Sequence, residues 1–334
     1  MPKSANPESA NPVPVDPMPA SAVPPSPHWT PEGLRAPELP TQVDLSQLPP
    51  MQSFLRAMQL DNPGARTRDD TFTGTNIWDL YDRVFGGQAV AQSVIAAGHT
   101  VDDDRVIHSI HGYFMRPGNV DEPLTFSVSR LFDGASFSTR SVTAYQNRLP
   151  MFTMLCSFQL PQEGLEHSIS MPEGIPDPDS LPDEGPIVSA VSEDLANYWV
   201  YRRPFHIRHV EGQIYTAPAA TRTNHQAVWF KAVETLPDDD HLHRAALGFL
   251  SDYTVLESLL RSHGLSWATP GLRAANLDHA VWWHRSARVD EWLLYLQESS
   301  TTQGGRGLIQ GRIFTREGLL VATVTQEGMV RVSE

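Results

Sequence analysis

The segment YFMRPGNVDEPL at residues 113–124 decides the fold of this chain, because WWHRSARVDEWL at residues 282–293 repeats its pattern. The match extends without a gap, so that Tyr113–Phe158 lies over Trp282–Glu327 at a shift of 169 residues. Solenoid modules recur every ~20–50 residues, so a repeat of this length indicates a duplicated domain. Duplication allows one copy to keep a site while the other becomes scaffold.

Each copy combines a helix-like stretch with several strand-like segments. One helix followed by a meander of strands predicts an α+β unit whose sheet buries one face against that helix. The helical stretches are Phe85–His99 and Leu247–His263, with Gly264 as a stop signal for the second. The predicted strands are Leu124–Val128, Ser138–Tyr145 and Met151–Phe158 in copy one, and Trp292–Gln297, Gly307–Phe314 and Leu319–Gln326 in copy two.

Proline content divides the chain further. Residues 1–50 hold 14 of the 28 prolines. Such a segment cannot bury enough apolar surface to offset the entropy of ordering, so it is predicted to be disordered. The 334 residues suit about two domains of ordinary size. We expect these domains at residues 53–160 and 224–334, joined by residues 161–223, a surface connector of irregular or edge-strand structure.

Charge and composition limit the class of protein. A net charge of −14 argues against nucleic-acid binding, which favours a basic face, but allows one anionic ligand held by a few arginines. No apolar run approaches the ~18 residues of a membrane span. The single Cys156 excludes an internal disulfide and a multi-cysteine metal cluster. Neither a secretory signal nor a C-terminal peroxisomal signal is evident, so a cytoplasmic setting is expected.

Asp252 is the first candidate for chemistry. It lies three residues after Phe249 and four before Leu256, which places it on the buried side of the predicted helix. Burying an acid beside apolar residues costs free energy unless partners satisfy it. An acid stabilised by the helix dipole in a first turn is the structural alternative. Copy one has Gln88 at the equivalent position, and this asymmetry favours a functional acid.

Other polar candidates lie in predicted strands. Gln326 is placed at the end of its strand, on the apolar face, where its amide needs a partner. Asn276 and Asp278 share one face of the segment 276–283, and His279 points to the other face. Asp278, His279 and the copy-one residues His108 and His111 are conceivable acid–base groups. Histidines in strands are nevertheless more often structural.

Several motifs of common enzyme classes are missing from the sequence. It contains no G-x-S-x-G nucleophile elbow, P-loop, G-x-G-x-x-G or H-E-x-x-H motif. No metal or organic cofactor is therefore expected. Hydrolysis by an activated water is the economical enzyme class that remains.

Several longer motifs follow one another along the chain. They are FGGQ at 85–88, HSIHGYFMRPG at 108–118, DGASF at 133–137, LDH at 277–279, WHR at 283–285, DEWLLY at 290–295 and QEG at 326–328. Together these motifs resemble those of the acyl-CoA thioesterase II (TesB-like) family. The resemblance covers residue 53 to the C-terminus, and the order of the motifs makes it specific.

The resemblance implies a double hotdog fold, in which each copy is a long helix wrapped by an antiparallel sheet. It implies hydrolysis of fatty acyl-CoA to a free fatty acid and CoA by a water that an aspartate, a glutamine and a threonine or serine position. These roles fall on Asp252, Gln326 and Asn276, and the asparagine departs from the family pattern. The resemblance also implies a homo-oligomer, and His108 as a second-tier catalytic candidate.

The proposed site residues fall in copy two, so one site per chain is expected. The oxyanion of the reaction needs backbone N–H donors, for which the predicted helix starts near Gly87 and Ser251 are candidates. Phe249, Tyr253 and Trp283 are expected to line the acyl pocket between helix and sheet.

Two alternatives stay open. A hotdog enoyl-CoA hydratase needs a histidine five residues after its aspartate, where this chain has Glu257. A non-catalytic acyl-CoA-binding protein is favoured only by the departure at Asn276. Release of thiol from acyl-CoA separates the three functions, because hydrolysis frees CoA whereas hydration and binding do not.

Overall fold

The computed structural model describes residues 44–62, 69–77 and 82–333. Most of the segment predicted to be disordered, residues 1–43, therefore lies outside the described residues. For residues 44–50 the prediction is wrong, because Leu45 is buried in a 3₁₀ turn and a helix begins at Pro50. The amide of Ser46 donates a hydrogen bond of 3.0 Å to Asp44 and starts that turn.

Six α-helices and twelve strands make up the described part of the chain. The helices are α1 (Pro50–Met58), α2 (Gly86–Gly98), α3 (Glu184–Ser189), α4 (Glu193–Ala196), α5 (Asp240–Leu250) and α6 (Glu257–His263). The strands are β1 (Asp70–Gly74), β2 (Val106–Phe114), β3 (Leu124–Asp133), β4 (Phe137–Gln146), β5 (Leu149–Gln159), β6 (Phe205–His209), β7 (His225–Ala232), β8 (Leu272–Asn276), β9 (Asp278–Trp283), β10 (Leu293–Gln303), β11 (Arg306–Thr315) and β12 (Leu320–Val332). None of these helices is long and apolar enough to cross a membrane.

All twelve strands belong to one sheet, in the order β1-β3-β4-β5-β2-β9-β12-β11-β10-β7-β6, with β8 beside β12. The two copies join where β2 pairs antiparallel with β9, with Ser109 opposite Trp282 and Tyr113 opposite Asp278. Helix α2 packs on the strands of copy one and α6 on those of copy two. The predicted α+β double hotdog fold is confirmed, while the domain boundaries at residues 53–160 and 224–334 stay a prediction.

The predicted strands are present, and each runs farther than its sequence pattern indicates. Along β3, Leu124, Phe126 and Val128 are buried and alternate with more exposed residues, as in a sheet with one covered face. The hairpin between β4 and β5 turns at Asn147 and Arg148, whose φ angles are 49° and 64°. Two consecutive residues with positive φ mark the type I′ turn, which matches the twist of paired strands.

The prediction of a single helix over Leu247–His263 is wrong. Helices α5 and α6 are separated by residues 251–256, which make turns. Oγ of Ser251 lies 2.9 Å from the carbonyl oxygen of Gly248, at the end of α5. Serine, aspartate and threonine compete for backbone hydrogen bonds, so they interrupt the helix despite its apolar spacing. Gly264 does end α6, with a φ of 66°.

Helix α2 agrees closely with the prediction and packs against α5. Gly248 permits this approach, because a Cβ there would lie only 3.3 Å from Val90 Cγ1 and 3.5 Å from the ring of Trp283. Small buried residues on α2, including Ala89 and Ala97, allow the helices and the sheet to come together. The two copies therefore share one core.

The connector combines an edge strand with a packed segment. Strand β6 pairs with β7 at the sheet edge, as predicted. The surface-linker prediction is wrong for Glu184 and His209, which are buried. The His209 ring lies between two carboxylates, with Nδ1 2.7 Å from Glu184 and Nε2 2.8 Å from Glu257. Burial alone would lower the pKa of His209, but the charges of both glutamates outweigh it and raise the pKa to about 10.

Candidate active site

Asp252 lies in the turn between α5 and α6, with only 5% of its surface exposed. Its Oδ1 accepts a hydrogen bond of 2.6 Å from Nδ2 of Asn276, at the end of β8. The start of α2, in copy one, lies on the other side of the carboxyl. The amide of Gly87 interacts with it, and a Cβ on Gly86 would stand 2.6 Å from Oδ2. Both copies thus contribute to the surroundings of one acid.

Gln326 is fully buried in β12, on the face predicted from Ala322 and Val324. The prediction that it ends the strand is wrong, since β12 continues to Val332. Its amide lies close enough to Asp252 to affect the pKa of that carboxyl. Even so, Gln326 Nε2 and Asp252 Oδ2 are buried without a well-formed hydrogen bond to any described protein atom. Buried polar atoms are nearly always hydrogen bonded, so this pair marks a place for a small polar molecule.

The pKa of Asp252 is raised to about 7. Burial disfavours the charged form, while the side chain of Gln326 and the amide of Gly87 stabilise the carboxylate and limit the rise. A base with a pKa near neutrality can take a proton from water and return it within one cycle. Asp252 therefore has the acidity of a general base in neutral solution.

Asn276 and His279 both reach this cluster, although strand alternation predicts opposite faces for them. Leu277 separates β8 from β9 and interrupts the alternation. His279 is fully buried, with Nδ1 in contact with Oε1 of Gln326 and Nε2 2.9 Å from Oγ of Ser251. The sequence pattern did not reveal the contact of His279 because an interruption by one residue has no local signature in the sequence.

A cavity of about 870 Å³ opens beside Asp252. Phe249 and Tyr253 line it, together with other apolar residues such as Phe85. Trp283, which was expected to line the acyl pocket, packs instead in the core beneath α5.

His108 lies apart from the cluster around Asp252. Its Nε2 is 2.9 Å from Oγ of Ser157, and its ring meets the edge of Phe137 with 5.9 Å between ring centres. At the 169-residue shift of the repeat Ile110, and not His108, corresponds to His279. The contact of His108 is therefore not the copy-one equivalent of a contact in the site of copy two.

Gln88, the counterpart of Asp252, is fully buried in a network of amides. Its Nε2 donates to Asn76 at 2.7 Å and to Gln92 at 3.1 Å, and its Oε1 accepts from the amide of Ile77 at 2.9 Å. The donors of Gln88 are both used within the protein. The two copies therefore differ in the structure as well as in the sequence. Gln88 in copy one has partners for both of its donors, whereas Asp252 in copy two has an oxygen without a hydrogen-bond partner among the described residues.

Four arginines from three segments of the chain line the cavity: Arg83, Arg202, Arg203 and Arg273. Arg203 is held by aromatic rings, with its guanidinium carbon 4.3 Å from the ring centre of Tyr253 and 4.7 Å from that of Trp199. Arg83, Arg203 and Arg273 form no ion pair with a carboxylate of the described residues. In a chain with a net charge of −14, such positive charge around one cavity indicates an anionic ligand. Spacing did not reveal these arginines, because they come from the connector, β8 and the segment before α2.

The arrangement of sheet and helices recurs in solved structures. A conserved protein of unknown function with a hot dog fold from Alicyclobacillus acidocaldarius aligns over 84% of this chain and 99% of its own, with a TM-score of 0.68 and 17% identity. The protein is thus of the hotdog class, here with two hotdog units in one chain.

Sequence comparison identifies the family within this class. Family profiles described as acyl-CoA thioesterase and acyl-CoA thioesterase N-terminal domain match residues 205–329 and 75–159. Acyl-CoA thioesterase 2 of Haemophilus influenzae is 34% identical over 76% of this chain and 90% of the relative. The acyl-CoA thioesterase II TesB2 structure from Mycobacterium marinum is 38% identical, covers 84% of this chain and 98% of its own, and has a TM-score of 0.67. The protein belongs to the acyl-CoA thioesterase family, which makes it a thioester hydrolase.

The family relationship does not favour either alternative function. Human acyl-coenzyme A thioesterase 8 is likewise 33% identical, over 79% of this chain and 85% of the relative. The hydratase alternative would need a histidine at position 257, where this chain has a buried glutamate. The carboxylate of Glu257 forms hydrogen bonds with the ring of His209 at 2.8 Å and with the indole N–H of Trp267 at 3.1 Å. Glu257 therefore serves the packing of the connector.

Proposed function

We propose that the protein hydrolyses fatty acyl-CoA to a free fatty acid and CoA by direct attack of a water, at one site per chain. The carboxyl of Asp252 carries the proposal. It is buried beside a cavity, Asn276 holds one of its oxygens, and the other oxygen has no completed hydrogen bond within the described protein. Neither a metal nor a covalent enzyme intermediate takes part in this scheme.

In this mechanism Asp252 accepts a proton as the water oxygen attacks the thioester carbonyl. Gln326 Nε2 donates a hydrogen bond to the water and aligns it with the carbonyl. Collapse of the tetrahedral intermediate breaks the C–S bond, and the proton on Asp252 passes to the leaving thiolate of CoA. Because Asn276 already donates to Oδ1, its role is to hold the base so that Oδ2 faces the water.

The same cavity provides for both ends of the substrate. Phe249 and Tyr253 would contact the acyl chain close to the thioester. The phosphates of CoA would lie along Arg83, Arg203 and Arg273, since a guanidinium binds phosphate oxygens in a fixed, often bidentate geometry. The acidic surface elsewhere on the chain makes this cavity the favoured place for a polyanion.

The start of α2 is the proposed source of oxyanion donors. The other candidate, the amide of Ser251, already donates to the carbonyl of Leu247 at 3.0 Å, so the expectation for it is corrected. Ser251 follows the end of α5 instead of starting a helix. N–H groups at a helix start have no intrahelical acceptor, so that of Gly86 can face a developing negative charge, whereas that of Gly87 already interacts with Asp252.

Substitution of Gly86 by alanine is expected to lower kcat by about 100-fold, the cost of a misplacement of ~1 Å among reacting groups. A Cβ at this position would lie 2.6 Å from Asp252 Oδ2 and 3.1 Å from the ring of Phe114. Either the base or the helix start must move. Gly98→Ala, near the other end of α2, is the matched control, because its Cβ would meet only His241 at 3.6 Å. Equal kcat values for the two variants would contradict the proposal.

The proposed function is tested by measuring CoA thiol released from acyl-CoA by the purified full chain between pH 5 and pH 9. We expect thiol release, with a rate that falls tenfold per pH unit below about pH 7, because Asp252 must be ionised to accept a proton. Above pH 7 the rate should level off. Binding of acyl-CoA without thiol release at any pH would exclude hydrolysis and support the acyl-CoA-binding alternative.

The setting of the enzyme is part of the proposal. We propose a cytoplasmic enzyme, which the single, buried Cys156 supports because it fits a reducing compartment. Assembly into a homo-oligomer stays a prediction, which the measured mass of the purified chain in solution would test.

A further inference from the structure

We propose that His279 is a positioning residue for the hydrolysis, which orients the amide of Gln326 by donating a hydrogen bond to its oxygen. The inference rests on the proposed function, because it concerns the water that Asp252 and Gln326 would hold. His279 itself does not touch the reacting atoms in this scheme.

The geometry places His279 behind Gln326. His279 is fully buried in β9, its Nδ1 contacts Oε1 of Gln326, and its Nε2 lies 2.9 Å from Oγ of Ser251. Ser251 is itself anchored, because its backbone carbonyl accepts a hydrogen bond of 3.3 Å from the hydroxyl of Tyr295. A chain of hydrogen-bonding groups therefore runs from Ser251 through His279 and Gln326 toward Asp252.

The orientation of the glutamine amide decides whether the site can work. A side-chain amide has a donor end and an acceptor end. If Oε1 of Gln326 faced Asp252, it would repel the carboxylate and could not donate to the attacking water. A hydrogen-bond donor at Oε1 turns Nε2 toward Asp252, and Nδ1–H of His279 is placed to be that donor.

The tautomer of His279 follows from the same network. Burial lowers the pKa of His279 to about 4, so the ring is neutral in the working range of the enzyme. A neutral imidazole has one donor and one acceptor nitrogen. With the proton on Nδ1, Nε2 of His279 accepts a hydrogen bond from the hydroxyl of Ser251. That hydroxyl has one proton and lies 2.9 Å from both Nε2 and the carbonyl oxygen of Gly248, and in this tautomer it donates the proton to Nε2.

Copy one offers a natural comparison. At the shift of the repeat, copy one has Ile110 where copy two has His279, and Ser157 where copy two has Gln326. Gln88 replaces the acid. The histidine, the glutamine amide and the acid therefore occur together only in copy two. This difference ties the role of His279 to the single site per chain.

Two isosteric variants test the proposal. Asparagine places its amide nitrogen near the position of Nδ1, so His279→Asn keeps the donor to Gln326. Glutamine places its nitrogen near Nε2, so His279→Gln loses that donor. We expect His279→Gln to lower kcat by about 10- to 100-fold, as when an outer partner of a catalytic group is removed, with KM unchanged. His279→Asn should retain most of kcat.

The pH profile provides a readout that a merely structural role would not move. Gln326 lowers the pKa of Asp252, so loss of its orientation should shift the acid limb of kcat/KM upward by about one pH unit, the size expected for one hydrogen bond to a charged group. Apart from Gln326, the groups facing Asp252 are Asn276, the amide of Gly87 and Tyr295. Burial and the Asp252 carboxylate raise the pKa of Tyr295 well above its usual range, so it does not titrate in this window.

Each outcome decides the proposal. The proposal is supported if His279→Gln lowers kcat and shifts the acid limb of kcat/KM to higher pH, while His279→Asn keeps the original kcat and the original acid limb. Equal loss or equal retention in the two variants overturns it. If His279→Gln lowers the unfolding temperature, Ser251→Ala takes its place, and an unchanged pH profile there overturns the proposal. Failure of the proposed function is distinguishable, because the unsubstituted chain would then release no thiol.

Discussion

Asp252→Asn is expected to reduce kcat for thiol release by about 10³- to 10⁴-fold, the upper range for loss of a general base. An asparagine cannot accept the proton of the attacking water. Its oxygen can still accept the 2.6 Å hydrogen bond from Asn276, so the local structure is preserved. Rates of CoA release under saturating acyl-CoA measure the effect.

Asp278→Asn is the matched control for this variant. Asp278 is the first residue of β9 and accepts a hydrogen bond of 2.6 Å from the backbone amide of Glu327. The side-chain oxygen of an asparagine can accept the same hydrogen bond. Its kcat should stay close to that of the unsubstituted chain. If the Asp252→Asn variant binds acyl-CoA and releases CoA at a rate close to that of the unsubstituted chain, Asp252 is not the base.

His209→Leu is expected to lower the free energy of unfolding by about 3–5 kcal/mol, the cost of removing one partner from a buried ion pair. The ring lies between Glu184 and Glu257, and both carboxylates are buried. Leucine has a similar volume but leaves two buried acids without their shared cation. Urea denaturation, followed by circular dichroism, measures the difference.

His206→Leu provides the control, because His206 lies in the same strand with an exposed side chain. It should change stability by less than about 0.5 kcal/mol, as surface substitutions usually do. A similar urea midpoint for His209→Leu and the unsubstituted chain would show that the buried contacts contribute little.

The pH dependence of this contribution has a defined sign. The pKa of His209 is raised in the folded state to about 10, from an ordinary value of 6.5. The stabilisation is therefore complete below about pH 6.5 and declines as the pH rises through 10. At lower pH the stabilisation weakens again, when Glu257 is protonated and loses its negative charge. Burial raises the pKa of Glu257, but the charge and hydrogen bond of His209 lower it by more, so this protonation occurs below the usual pKa of a glutamate.

Local periodicity in the sequence predicted much of the fold. The six strands expected from it are all present, and the face of Gln326 follows from alternation with Ala322 and Val324. These predictions succeed because each depends on residues two to four positions apart. The burial of Asp252 was predicted as well, although from a continuous helix that does not form.

The errors occur where distant residues override local pattern. The run from Ser251 to Leu256 has helical spacing, but its polar side chains make contacts with β9 and β8. The connector has the composition of a surface linker, yet Glu184 is buried and forms hydrogen bonds with the backbone amide and the ring of His209. Neither contact has a signature in neighbouring residues.

The sequence by itself determined that the protein is a duplicated α+β chain and that only one copy carries the acid, because repeats and alternation are properties of residue order. The tertiary structure alone decided what surrounds that acid. Gly87 of copy one, Asn276 of β8 and the pair of His279 and Gln326 meet at Asp252 because helices pack and strands break at particular residues. These contacts depend on the tertiary structure, which the spacing of residues along the chain does not encode.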